Sequence, residues 1–223
     1  MTQTGNRRVR SYQPADRAAL RWICAETGFL GEPQEKVVLD REVFADMWSA
    51  YWTDREPESG FVAECEGRVV GYLLGCVDTD RYERVFNQEM ARPLLWKALR
   101  RGFFLRGKNP GYIYRMVRSL RRGEFKAPMR AIKNEYPAHL HMNIAPPEFR
   151  GRGLGQALLR VYLEYLRTRG VKGLHLGTTS HNQQAVPFYL AAGFQEIFRS
   201  RITCYDHAVP DPPVYLIYFG MKL

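Results

Sequence analysis

The sequence contains no run of about 18 apolar residues, so no transmembrane helix is expected. It also lacks an apolar stretch near its start. Met1 to Ser11 is polar and basic, which argues against a secretory signal. The four cysteines, Cys24, Cys65, Cys76 and Cys204, are widely spaced and form no C-x-x-C pair. A disulfide framework and a cysteine-rich zinc site are therefore not expected, and the thiols read as reduced in a cytoplasm. Acidic residues are scarce in one stretch. Arg81 to Lys133 holds 15 Lys or Arg against 3 Asp or Glu, a balance of +12, while the rest of the chain carries −2.

What is present is an ordinary globular composition: 223 residues, 45% apolar and 25% charged. That suffices for one domain over 1–223 and is short for two. The charge excess belongs to one internal segment. It suits either an anionic partner or a solvated insertion.

The pattern along the chain alternates strands and helices. Arg8–Tyr12 reads as a strand, with a helix start at Pro14 to Asp16 and Asp16 as its N-cap. Phe44, Met47, Trp48, Tyr51 and Trp52 recur at helical spacing and read as core. Gly60–Cys65 and Arg68–Val77 form a hairpin about Glu66-Gly67. Within the basic segment, 81–134, Pro93–Phe104 and Tyr112–Leu120 read as amphipathic helices. Leu94, Leu95, Ala98 and Leu99 form one stripe; Ile113, Met116, Val117 and Leu120 form another. Both stripes need a surface to pack on, so a folded helical insertion is expected. A strand over His139–Ala145, a helix from Gly155, a strand over Gly173–Thr178, a helix over Asn182–Ala192 and two final strands complete an α/β order.

The informative stretch is Arg150-Gly151-Arg152-Gly153-Leu154-Gly155-Gln156, between a strand and a helix. Glycines there let backbone N–H groups approach an anion, and the helix N-terminus adds its positive end. The dinucleotide pattern fails because Gln156 stands at the third glycine position, and no Gly-Lys-Ser/Thr follows for a nucleotide phosphate loop. A tight strand–helix turn is the alternative reading of the same residues.

Arg150-x-x-Gly153-x-Gly155 resembles the acyl-CoA pyrophosphate motif of the GNAT superfamily of N-acyltransferases. Asn182-x-x-Ala185-x-x-Phe188-Tyr189, followed by Gly193-Phe194, resembles that family's second motif. The order and spacing of the two match the family. A narrower likeness, carried by Tyr136 to His141 and Gly173 to Gly177 and fitted by Val77-Asp78-Thr79, is to the acetyltransferase-like domain of protein O-GlcNAcase and its bacterial relatives. Those relatives often have Asp where this chain has Asn143.

The resemblance implies a mixed, mostly antiparallel sheet flanked by helices, with the basic insertion between the third and fourth strands. It implies acetyl-CoA as a substrate, no metal, and direct acetyl transfer to an amine in a ternary complex. The pyrophosphate is expected on the N–H groups of Gly151, Arg152, Gly153, Leu154, Gly155 and Gln156, with Arg150 also counted among the cofactor-binding residues. The pantetheine is expected beside Ile144 and Ala145, with a backbone N–H near Ile144 polarising the thioester. Tyr189 is expected to protonate the thiolate, and Asn182 to contact the cofactor arm. Core packing for Tyr189 and helix capping for Asn182 are the structural alternatives.

Strand alternation puts His139, His141 and Asn143 on one face, and Leu140, Met142 and Ile144 on the other. His141 is the expected general base, with a structural histidine as its alternative. His175, His181, Asp78 and Glu135 are weaker candidates. Two other functions stay open: a CoA-binding domain without activity, and a binder of nucleic acid or membrane through the insertion. There, Arg100, Arg101, Arg121 and Arg122 are the first charges of interest. A homodimer is an expectation from the family alone.

Overall fold

The computed structural model describes residues 7–223. Its centre is one seven-stranded sheet built from β1 (Arg7–Ser11), β2 (Gly60–Cys65), β3 (Arg68–Cys76), β4 (Ala138–Ile144), β5 (Gly173–Thr179), β6 (Gln195–Ile202) and β7 (Val214–Lys222). The strand order is β1-β2-β3-β4-β5-β7-β6. Every neighbouring pair is antiparallel except β4 with β5. Glu66 and Gly67 take positive φ at the β2–β3 hairpin, as its two-residue turn requires.

The helices are α1 (Arg17–Glu26), α2 (Arg41–Asp54), α3 (Thr79–Val85), α4 (Ala91–Arg100), α5 (Asn109–Arg121), α6 (Met129–Glu135), α7 (Leu154–Arg167) and α8 (Ala185–Ala191). Period-two alternation on the central strands gives each face its own core. Tyr72, Leu74 and Cys76 of β3 pack with Leu20 and Ile23 of α1 and with Phe44 and Trp52 of α2. Leu73, Leu140, Leu174 and Phe219 pack on the other face with Leu158, Tyr162 and Leu166 of α7 and with Tyr189 of α8.

The insertion is helical, but differs in detail from the expectation. It begins at α3, which Asp78 caps by accepting from the N–H groups of Asp80 and Arg81. A π-helical stretch, Phe86–Met90, joins α3 to α4. Only half of each apolar stripe is covered: Ala98 is buried and Leu94, Ile113 and Met116 pack on neighbours, whereas Leu95, Leu99, Val117 and Leu120 face solvent. Two further expectations are corrected. Trp48 is 44% exposed and so is not core. Asp16 makes no cap bond to α1; its carboxylate accepts from the Gln13 N–H and pairs with Arg10, which fastens β1 to the turn.

The insertion lies over the α1–α2 face and reaches across the sheet. At one end Arg101 and Arg106 converge on Asp40, whose side chain is fully enclosed, and Lys97 pairs with Asp46 of α2. Burial alone would raise the Asp40 carboxyl; its hydrogen bonds from Arg101 and the Val43 N–H and the nearby guanidinium charges outweigh it and lower the pKa. At the other end Glu124 accepts from the N–H and hydroxyl of Thr203, just past β6, and the Ser200 hydroxyl donates to the Glu124 carbonyl.

Candidate acyl-transfer site

Strands β4 and β5 pair only at Ala138–Leu174 and His139–His175. Beyond that point β4 continues along β3 as far as Ile144, and β5 continues along β7 as far as Thr179. The two strands therefore part, and a wedge opens in the middle of the sheet. The Ala145 N–H donates to the Val70 carbonyl on the β3 side. Alternation then turns the N–H groups of Met142 and Ile144 toward the wedge. Consistent with that parity, the Ile144 carbonyl on the open side accepts from Arg150 Nε at 2.9 Å.

The glycine-rich turn sits at the mouth of this wedge. Gly151 and Gly153 hold φ of +70° and +80°, a region in which side chains are strained. Gly153 is the N-cap of α7 and supplies no side-chain cap. The N–H groups of Gly151 through Gln156 donate no hydrogen bond among the described residues. Unpaired donors of this kind, at the positive end of a 14-residue helix, form a cradle for an anion. A Cβ at Gly155 would lie 3.3 Å from the Phe188 ring and 3.7 Å from Ile144 Cδ1. The missing side chain is what lets the first turn of α7 touch both β4 and α8.

Tyr189 on α8 is buried among Phe188, Phe194 and Phe219. Burial is the one influence on its phenol and pushes its pKa well up, so the proton is held throughout the physiological range. Asn182 Oδ1 accepts from the Ala185 N–H, which is the capping arrangement. Arg150 spends its donors on backbone: besides Ile144, its Nη2 reaches the Gly31 carbonyl at 2.8 Å. That bond draws the α1–α2 loop to the end of β4, a contact the sequence reading missed.

The opposite face of β4 is polar and aromatic. Asn143 Nδ2 donates to Tyr72 Oη at 2.8 Å and lies 3.2 Å from His141 Nε2. Tyr72 Oη is 3.4 Å from His141 Nδ1. The rings of Trp48 and Trp52 lie 6.0 and 6.4 Å from the His141 ring. Desolvation lowers the His141 pKa to about 4, so the imidazole is neutral. His139 is lowered further, to about 3, by desolvation and then by the neighbouring histidines; its Nδ1 lies 2.9 Å from Cys76 Sγ and 3.0 Å from Thr79 Oγ1. Tyr72 was not singled out from the sequence, because only the β3–β4 register brings it beside Asn143.

The weaker candidates have structural partners. His175 Nδ1 is 2.7 Å from the Tyr136 carbonyl, Glu135 pairs with Lys222, Asp78 caps α3, and His181 Nε2 lies against the Asp211 carbonyl. Ile144, Gly155, Phe188 and the turn 151–156 are thus gathered on one side, and Tyr189 belongs to that same core; His141 lies on the other side of the sheet.

Residues 27–194 match the model of the acetyltransferase (GNAT) family. The crystal structure of SsHAT is similar over 97% of this chain and 98% of that one, at 31% identity and a TM-score of 0.71. The Drosophila melanogaster polyamine N-acetyltransferase, described as forming N-acetylagmatine, shares the fold, with 19% identity, coverage of 98% and 100%, and a TM-score of 0.62. An uncharacterised N-acetyltransferase of Methanocaldococcus jannaschii is 37% identical over 65 residues, which is 29% of this chain and 29% of that protein's length. The chain belongs to the acetyltransferase (GNAT) family.

Proposed function

We propose that this protein transfers an acetyl group from acetyl-CoA to a primary amine of a small molecule or peptide, directly, within a ternary complex. The carrying observation is the unbroken row of free N–H groups from Gly151 to Gln156 at the mouth of the wedge. A pyrophosphate satisfies that row, and the open edge of β4 offers Met142 and Ile144 to an extended amide-bearing arm.

In this reading the amine nitrogen attacks the thioester carbonyl. A C–N bond forms, the C–S bond breaks, the amine loses a proton and the thiolate gains one. The Ile144 N–H stabilises the oxyanion. Tyr189 supplies the proton to sulfur. Its phenol is a weak acid when buried, but a thiolate emerging in the same apolar surroundings is destabilised by the same desolvation. His141 is neutral and accepts the proton of the amine, which approaches from the α1–α2 face. Desolvation leaves His141 a weak base, and Asn143 sets no carboxylate beside the ring to offset it. That same observation favours a second reading, a CoA-binding domain without transfer activity. The narrower likeness to the acetyltransferase-like domain of O-GlcNAcase rests on Tyr136–His141, Gly173–Gly177 and Val77–Thr79, and the acceptor amine follows from none of them.

The test is calorimetry of CoA and acetyl-CoA on the wild type and on Gln156→Glu. Gln156 is exposed at the third position of α7, where a carboxylate suits the helix dipole and leaves folding intact. A loss of affinity of about tenfold in a protein at least as stable as wild type supports the cradle, since about 1.4 kcal/mol of repulsion is expected there. Equal affinity in the two proteins overturns it. Thiol release on an amine panel then separates transfer from binding alone.

A further inference from the structure

The basic charge of the insertion is divided. Lys97, Arg101, Arg106 and Lys133 are held in ion pairs that fix the insertion to α2 or within itself. Arg92, Arg100, Arg118 and Arg121 are exposed and make no ion pair among the described residues. The apolar residues are divided in the same way. Leu95, Trp96 and Leu99 stand out from α4, with Trp96 61% exposed, and Leu105 follows at 87%. Tyr114, Val117 and Leu120 stand out from α5. Both helices are held to the body by their other faces, through Ala98, Leu94, Tyr112, Ile113 and Met116. Free cations and uncovered aliphatic side chains therefore share the outer surfaces of the same two helices.

We infer that the outer surface of α4 and α5 docks on an anionic lipid bilayer. Charge complementarity commits the surface to a polyanion, since the segment carries +12 and Arg92, Arg100, Arg118 and Arg121 are exposed on it without an ion pair among the described residues. The side chains among those charges select lipid over nucleic acid. Nucleic acid is gripped by cations and flat rings, and exposed Leu95, Leu99, Leu105, Val117 and Leu120 have nothing to gain from phosphates or base faces. In the interfacial region of a membrane the same leucines are buried among acyl chains, Trp96 and Tyr114 sit at the headgroup level, and the arginines meet lipid phosphates. Each outward arginine contributes attraction that decays within a Debye length.

The experiment is co-sedimentation of the full chain with phosphatidylcholine vesicles containing or lacking about 30 mol% phosphatidylserine. Binding to the anionic vesicles alone is expected, with a blue shift of tryptophan emission and loss in about 0.5 M salt. Arg100→Glu with Arg121→Glu weakens binding about tenfold or more. Trp96→Ser with Leu99→Ser abolishes the emission shift and lowers the bound fraction. Both double variants alter exposed residues only, and an unchanged melting temperature in each verifies that they are folded. The inference is overturned if the wild type ignores anionic vesicles at low salt, if the variants bind as wild type does, or if the surface instead retains a single-stranded oligonucleotide. It is equally overturned if light scattering shows a dimer that the Trp96 and Leu99 substitutions dissociate.

Discussion

The two faces of β4 are built in different ways. On the α7–α8 face the site is backbone: free N–H groups, glycines that admit them, and one buried phenol. On the α1–α2 face it is side chains: two histidines, an amide, a phenol from β3 and indoles from α2. Backbone recognition is indifferent to what lies beyond the phosphates, so that face suits a constant component of a reaction. Side-chain recognition is particular, and it lies on the face that the insertion covers. In the proposed function the contrast falls between a common donor and a private acceptor.

Substitutions break the contrast most sharply on the backbone face. Gly153→Glu places charge and a strained φ in the cradle, and CoA affinity is expected to fall by about a hundredfold or more, read by calorimetry. Tyr189→Phe is expected to lower kcat by about 10²-fold with CoA affinity unchanged, because the ring packing is kept and only the proton is lost. Steady-state kinetics with direct CoA titration checks this.

The other face is sharpened by titration. Asn143→Asp sets a carboxylate beside His141 and raises its pKa from about 4. The acidic limb of the pH–rate profile should move up by about one unit or more; an unmoved limb removes His141 as the base. Stability carries a related signature. Both His139 and His141 have folded pKa values depressed below the unfolded value near 6.5, so the unfolded state binds more protons under acid conditions. The contribution of these two histidines to stability is fully present above about pH 6.5 and is lost as pH falls through about 4 and then about 3. Urea midpoints across that range, compared with a His141→Gln variant in which part of the slope is gone, measure it. The effect expected at the insertion is on stability alone. Asp40→Ala removes a helix cap and two ion pairs and is expected to cost about 2 kcal/mol, since Arg101 and Arg106 are half exposed and rehydrate.

The backbone face was legible in the sequence because glycine spacing is itself the signal. Gly151, Gly153 and Gly155 mark the turn, and the strand before it and the helix after it fall within a residue or two of the expected bounds. The alternation along β4 also held, with Leu140 in one core and His139 and His141 against the rings of the other. The side-chain face was less legible. Phe44, Trp48 and Trp52 share a helical stripe whether they fill a core or roof a histidine, and periodicity cannot tell the two apart. The Arg150–Gly31 bond and the Tyr72–Asn143 pair join residues far apart in the chain, set by tertiary register. The apolar stripes of α4 and α5 announced helices correctly and their burial incorrectly, since a stripe says that a face is apolar and not what covers it.

The wedge has a mechanical corollary. Its two half-sheets are riveted to each other by two residue pairs at one end, and a sheet so joined has a weak hinge. The insertion spans that hinge, pinned to Asp40 and Asp46 on one side and to Ser200 and Thr203 on the other. It is a further link between the two half-sheets, beside the pairs at Ala138 and His139 and the shared core under α7. An excised or loosened insertion would leave both half-sheets standing and take away a crossing link between them that lies far from the opening along the chain.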